Sequence, residues 1–235
     1  LLNRLSPGGW LAVHRFLLPP PRGEMRLLAT VITAMRRQGW KPDQRLGVFR
    51  TLSTLMVLVS REAWTPKESS RFREFCLSRG FAPVYYPDMP ETERNSVIQL
   101  QEPVYAQGVR ELLADTPAFH ASTPFDLQPV TDDRPYFELF LNWNRLDDIR
   151  KSLGGKWEGM VEAGLLVPLL FAVVSLNALL LIGIPILPHL RRMENTISVL
   201  LYFAGIGLAF MLVEIALLEK LTPFLGQPVY SFALV

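Results

Sequence analysis

The chain has 235 residues and one cysteine, Cys76. A lone thiol excludes an intramolecular disulfide, and no CxxC or Cys/His pattern of a metal site is present. Cys76 falls on the apolar side of a predicted helix and reads as an inert, packed thiol. Histidine is scarce as well. His14, His120 and His189 stand at neither metal-ligand nor triad spacing. Charge of one sign is also lacking: the net charge is +2 and the basic residues are scattered, which excludes a nucleic-acid-binding surface. Serines such as Ser6 and Ser60 sit in no nucleophile elbow, so nothing supports a hydrolase. No internal repeat or low-complexity tract occurs. The chain opens Leu1-Leu2-Asn3-Arg4 without methionine or signal peptide and stops inside an apolar run, so both ends read as cut from a longer protein.

What is present falls into two parts. After a turn at Pro7-Gly8-Gly9, residues 11–16 are nearly all apolar, the pattern of a strand buried on both faces. Residues 24–38 follow as a helix. Leu28, Val31, Ile32 and Met35 recur at helical spacing, Arg26, Arg36 and Arg37 are available for its wet side, and Gly39 stops it. Residues 45–50 and 54–60 predict a hairpin whose second arm is central. Thr65-Pro66-Lys67-Glu68 supplies a capping box for a second helix that ends at Gly80. Residues 81–86 make an edge strand, because Pro83 cannot donate to a ladder. From 87 to 135 the chain is rich in Pro, Asp, Glu and Thr, with one short helix at 104–114. Strand, helix, hairpin, helix, strand is the closing half of an open α/β sheet.

Charge vanishes from residues 165–187, a run long enough to cross the roughly 30 Å hydrocarbon core of a bilayer. Residues 197–218 predict a second span, interrupted only by Glu214. Pro168 in the first turn of the first span, and Pro185 and Pro188 near its end, are tolerable there. Arg191 and Arg192 lie in the loop between the spans. Arg145, Arg150, Lys151, Lys156 and Lys220 lie outside it, which puts the soluble region on the cytoplasmic side. Two prolines and a glycine at 221–230 then read as a re-entrant or cavity-lining break, with a third span starting near Val229. The resulting partition is a closing half-sheet at 1–87, a cover segment and juxtamembrane linker at 88–163, and transmembrane helices at 164–235. Lipid is the partner this implies, together with further helices of the same protein.

Several residues stand out as candidate sites. Asp132, Asp133 and Arg134 precede the aromatic run that begins at Tyr136. Paired carboxylates beside an arginine can hold the ammonium groups of a polyamine or orient a cover loop. The same residues can instead form a turn, with the aspartates bonding backbone N–H groups and Pro135 fixing the exit. His14 lies where an open α/β sheet binds ligands and is a candidate pocket wall. Glu214 and Gln227 are the intramembrane candidates, since a carboxylate or broken helix in lipid is costly. The small residues Gly205, Gly207 and Ala209 would let another helix approach beside Glu214.

Three stretches taken in order carry a family resemblance. They are Leu5-Ser6-Pro7-Gly8-Gly9-Trp10-Leu11-Ala12-Val13, then Thr131-Asp132-Asp133-Arg134-Pro135-Tyr136-Phe137, then Gly205 through Glu214 to Gly226-Gln227-Pro228-Val229-Tyr230. The chain resembles membrane-embedded spermidine-synthase-like proteins, in which a Rossmann-type methyltransferase or aminopropyltransferase domain is fused to transmembrane helices. The resemblance implies a seven-stranded sheet whose last three strands are 11–16, 45–50 and 54–60, the final one antiparallel. It implies an S-adenosyl donor, S-adenosylmethionine or its decarboxylated form, and a polyamine or other small acceptor. The family's glycine loop, ribose-holding acid and catalytic aspartate would all precede Leu1, so no residue here takes a catalytic role and this piece alone binds no donor. It also implies a bacterial inner membrane. A non-enzymatic alternative has a degenerate domain regulating or assembling a transport-like bundle around Glu214 and the Gly226 break.

Overall fold

The computed structural model describes residues 2–185 and 196–235. It divides into two compact units, Leu1–Leu169 and Leu170–Val235. The first is built on strands β1 (Trp10–Phe16), β2 (Leu46–Arg50), β3 (Thr54–Ser60) and β4 (Ala82–Tyr85). Its main helices are α1 (Gly23–Arg37), α2 (Pro66–Ser78), α3 (Val104–Ala114), α4 (Thr116–Ser122) and α5 (Leu146–Ser152). The sheet order is β1-β3-β2-β4, and each neighbouring pair is antiparallel. It follows that β1 and β2 run in the same direction, with β3 opposed between them.

Local sequence explains most of these elements. The β2–β3 hairpin closes through Thr51, whose N–H donates to the Thr54 carbonyl at 2.8 Å while the two hydroxyls also meet at 2.8 Å. The α1 helix ends where Gly39 takes φ 71°, and Trp40 N–H returns to the Met35 carbonyl at 3.0 Å. The Thr65 hydroxyl accepts from Glu68 N–H, and the Glu68 carboxylate accepts from Thr65 N–H at 2.7 Å, which completes the capping box of α2.

Period-two alternation divides the core into two layers. Leu46 and Val48 of β2, with Leu55, Val57 and Val59 of β3, face α1 and α3. Phe49 faces the other way, into a cluster with Trp64, Phe72, Cys76 and Tyr86, against which Met56 and Leu58 pack. Burial pushes the Cys76 thiol up to about 12, so it carries no reactive thiolate at neutral pH. The stretch after residue 100 is integral to the first layer: Tyr105, Leu112, Phe125, Leu127, Phe140, Ile149 and Ala163 share one core with α1.

Strand β1 corrects an expectation. It is not buried on both faces but alternates, with Leu11 and Val13 half-buried against the core and Trp10, Ala12, His14 and Phe16 exposed. The physical reason is position: among the described residues β1 pairs only with β3 at the end of the sheet, and α2 covers β2 and β4 instead.

Two helices, Glu158–Gly183 and Ser198–Leu225, are long and apolar enough to cross a membrane. The first contains π-turns at Val161–Leu165 and Leu179–Gly183, with Gly164 at φ 113°. The second belongs to a continuous helix, Thr196–Leu225, that passes residue 218 and carries Pro223 inside it. The expected break is thus narrower than 221–230. It falls at Gly226, φ 77°, and Pro228–Leu234 is helical again. Pro188, His189 and the Arg191-Arg192 loop lie outside the described residues.

Candidate functional site

The site begins with an arginine on α1. Arg26 was expected on the wet side of its helix, yet it is only 3% exposed. Its Nη1 donates to the carbonyls of Tyr136 at 2.9 Å and Phe137 at 2.7 Å, and its Nη2 donates to the Asp126 carbonyl. The guanidinium lies 4.9 Å from the centre of the Phe140 ring. Residues 126–140 fold over α1 and desolvate Arg26, and this burial lowers its pKa while Asp126 opposes the shift. One buried cation therefore gathers both ends of the segment that contains Asp132 and Asp133.

Asp126 extends the cluster. Its Oδ1 accepts from Gln128 N–H at 3.1 Å and lies 3.7 Å from Arg26 Nη2, while Oδ2 accepts from Arg134 Nη2 at 2.8 Å. Between these anchors the chain turns back on itself. Arg134 N–H donates to the Thr131 carbonyl at 2.9 Å, and the two residues form an isolated antiparallel bridge. Asp132 and Asp133 occupy the exposed tip of this turn. The segment is a turn, but main-chain bonds close it and Asp126 braces it, where the expectation had the Asp132 and Asp133 side chains bonding its backbone N–H groups.

A cavity of about 140 Å³ opens beside the cluster, lined by Arg26, Asp126, Gln128, Arg134, Tyr136 and Leu139, with Pro129 and Val130. Beyond Pro129 a larger one, about 540 Å³, is lined by Thr30, Thr33 and Arg37 of α1 and by Asp132. Arg134 and Tyr136 thus share the first cavity, Asp132 opens onto the second, and Asp133 faces solvent. His14 is not brought to this group. It lies on the exposed face of β1, opposite Arg15, and it is Arg15 that reaches across, to Glu138 at 3.0 Å and over the Phe137 ring at 4.0 Å.

In the second unit, Glu214 is half-buried on a helix whose neighbouring side chains are exposed. Gln227 is exposed and extended just before Pro228–Leu234, and its side chain does not cap that helix. Among the described residues no group of three or more His, Cys, Asp or Glu could hold a metal ion.

Arg26 and Asp126 carry the geometry that the sequence did not announce. Compared with known proteins, the chain matches no family model, no curated protein and no solved structure.

Proposed function

We propose that this chain is the closing half of a spermidine-synthase-like transferase domain carried on membrane-spanning helices. The observation that carries the reading is strand order. Two strands that run the same way, β1 and β2, are joined through α1, and the strand that follows them in sequence lies antiparallel between them. This is the arrangement implied by a methyltransferase-like sheet whose last strand is the antiparallel one. The two long apolar helices support membrane attachment, and the basic residues that flank the apolar runs favour a cytoplasmic side for the soluble region.

In this reading the 126–137 segment is a cover clasped by Arg26. Asp132 and Asp133 make no ion pair among the described residues, so their carboxylates are free to meet the ammonium groups of a polyamine acceptor. Arg134 and Tyr136 line the adjoining cavity, and His14, on the exposed face of β1, takes no part in it. The donor, S-adenosylmethionine or its decarboxylated form, does not fit the residues present. The loops that leave β1 and β2 at their carboxyl ends are Leu17-Leu18-Pro19-Pro20-Pro21 and Thr51-Leu52-Ser53, with neither a glycine loop nor an acid. No transfer step is assigned to these residues.

Isothermal calorimetry of the full-length protein tests the reading. Saturable binding of either S-adenosyl compound is expected, and binding of neither would overturn it.

One observation favours a second reading. Glu214 is half-buried on the same helix as the half-buried Leu218, Leu221, Thr222 and Leu225, which suits a carboxylate facing a neighbouring helix in a transport-like bundle with a regulatory domain. In that case Glu214→Gln abolishes transport or assembly while S-adenosyl compounds remain without effect.

A further inference from the structure

The Glu158–Gly183 helix passes from protein core to open surface within about one turn, and the switch falls at Gly164. Met160 and Ala163 are buried in the core of the first unit, whereas Leu166 is 45% exposed, Val167 is 72% exposed, and no residue of Leu166–Ala178 is buried. From Ala163 to Pro188 the sequence carries no ionisable side chain, so the stretch that leaves the core is also the one that suits hydrocarbon.

The segment that touches this exit is the end of the cover. Phe140 N–H donates to the Ala163 carbonyl at 3.0 Å, and a Cβ on Gly164 would stand 2.7 Å from Leu139 Cδ1 and 3.5 Å from Leu139 Cα. Leu139 therefore packs on the turn at which the helix emerges. It is nevertheless 41% exposed, and Tyr136 is 71% exposed. Arg26 holds the Tyr136 and Phe137 carbonyls, so an apolar side chain and a phenol are presented beside the exit on a pinned segment.

Charge around these side chains is neutralised in pairs. Glu138 meets Arg15 at 3.0 Å, and Glu162 meets Arg22 at 3.3 Å. Neither carboxylate, though exposed, brings a bare charge to this surface. Lys156 and Glu158 come earlier in the chain, before the buried Met160. The pattern suits the interfacial layer of a bilayer, where the amphipathic ring of tyrosine is favoured and an unpaired carboxylate becomes costly with depth.

We infer that Tyr136 and Leu139 sit in the lipid–water interface, so that the first unit rests on the membrane surface through this patch and does not hang from it on a free tether. The inference rests on the reading of Glu158–Gly183 as a membrane span. Its consequence concerns the cavity of about 140 Å³ that both residues line, which then stands at the water–lipid boundary and not out in bulk solvent.

The test places nitroxide labels on the full chain in phosphatidylcholine nanodiscs. The labelled variants are Leu139→Cys, Tyr136→Cys, Val174→Cys in the apolar run, and Lys67→Cys at an exposed position of α2, on the layer of the sheet opposite α1. The wild-type chain, whose lone thiol is the buried Cys76, gives the labelling background. Accessibility to oxygen, which concentrates in lipid, is compared with accessibility to a water-soluble nickel chelate. Relative to Lys67, the labels at positions 139 and 136 are expected to lose nickel accessibility and gain oxygen accessibility, and to fall between Lys67 and Val174. Either label as open to nickel as Lys67, with Val174 in lipid, overturns the inference and leaves the span intact. Val174 itself open to nickel overturns the membrane reading, and the inference with it.

Discussion

Arg22 and Glu162, 140 positions apart, form an ion pair of 3.3 Å in which the guanidinium is 1% exposed and the carboxylate 64%. The pair ties the entry of α1 to the first turns of the Glu158–Gly183 helix, and main-chain bonding from Phe140 N–H to the Ala163 carbonyl at 3.0 Å reinforces the junction. Arg22 also lies 5.6 Å from the Phe125 ring and 6.0 Å from that of Phe140, while its Nε and Nη1 find no acceptor among the described residues.

Removing only the exposed partner leaves a buried cation uncompensated. Glu162→Gln should therefore cost about 1–3 kcal/mol. Replacing both partners, Arg22→Met with Glu162→Gln, should recover much of that loss, because an apolar side chain of similar volume removes the buried charge. Thermal unfolding of the four members of this double-mutant cycle in detergent checks the sign. A double mutant no better than Glu162→Gln alone counts against it.

Arg26 is held by geometry as much as by charge. Arg26→Lys keeps the cation but cannot reach the three carbonyls of Asp126, Tyr136 and Phe137 at once. We expect both Arg26→Lys and Arg26→Ala to destabilise the first unit by at least about 2 kcal/mol. Proteolysis should then cut within residues 126–137. Lysine behaving like wild type would show that the fork geometry is not needed.

These two arginines show where the sequence was readable. Elements governed by local chemistry were legible: the 3.6-residue period of α1, the Thr65–Glu68 cap, the period-two hairpin and the Pro83 edge strand. Arg26 was not, since its burial depends on residues 100 to 111 positions away folding across α1. In isolation it looks like any basic residue beside an apolar stripe. Asp126 was missed for the same reason, because Asp132 and Asp133 looked more conspicuous and only the fold shows which aspartate is braced. The exposure of one face of β1 was also hidden, because an apolar run does not say which strands will flank it.

Glu24 is fully buried beside Tyr105, with Oε1 unpaired among the described residues, and desolvation raises its pKa above the ordinary 4.5 despite hydrogen bonds that oppose it. In the window above 4.5 the folded chain binds more protons than the unfolded one, so this group lowers stability as pH rises. Glu24→Gln keeps an acceptor for Arg22 N–H and removes the ionisation. Its melting temperature should match or exceed wild type at pH 7, with a flatter dependence between pH values of about 5 and 7. A steeper profile in the mutant would falsify the assignment.

Gly47 of β2 has no room for a side chain. A Cβ there would come within 2.7 Å of Trp64 Cζ2 and 3.5 Å of Phe72. Gly47→Ala should cost about 1–3 kcal/mol by overpacking. Trimming the indole in a Gly47→Ala, Trp64→Phe double mutant should restore part of it, measured by chemical denaturation. Independent, additive losses would argue against this contact.

The unpaired side of β1 bears on how this protein must be handled. Alternate residues of the strand, Trp10, Ala12, His14 and Phe16, present backbone donors and acceptors that no strand among the described residues uses, beside the exposed rings of Trp10 and Phe16. Such a surface is a template on which a second polypeptide can add in register, so the isolated chain is primed to self-associate into strand-paired aggregates. Solubility in the test tube is then governed by what covers residues 10–16 as much as by the detergent around the apolar helices.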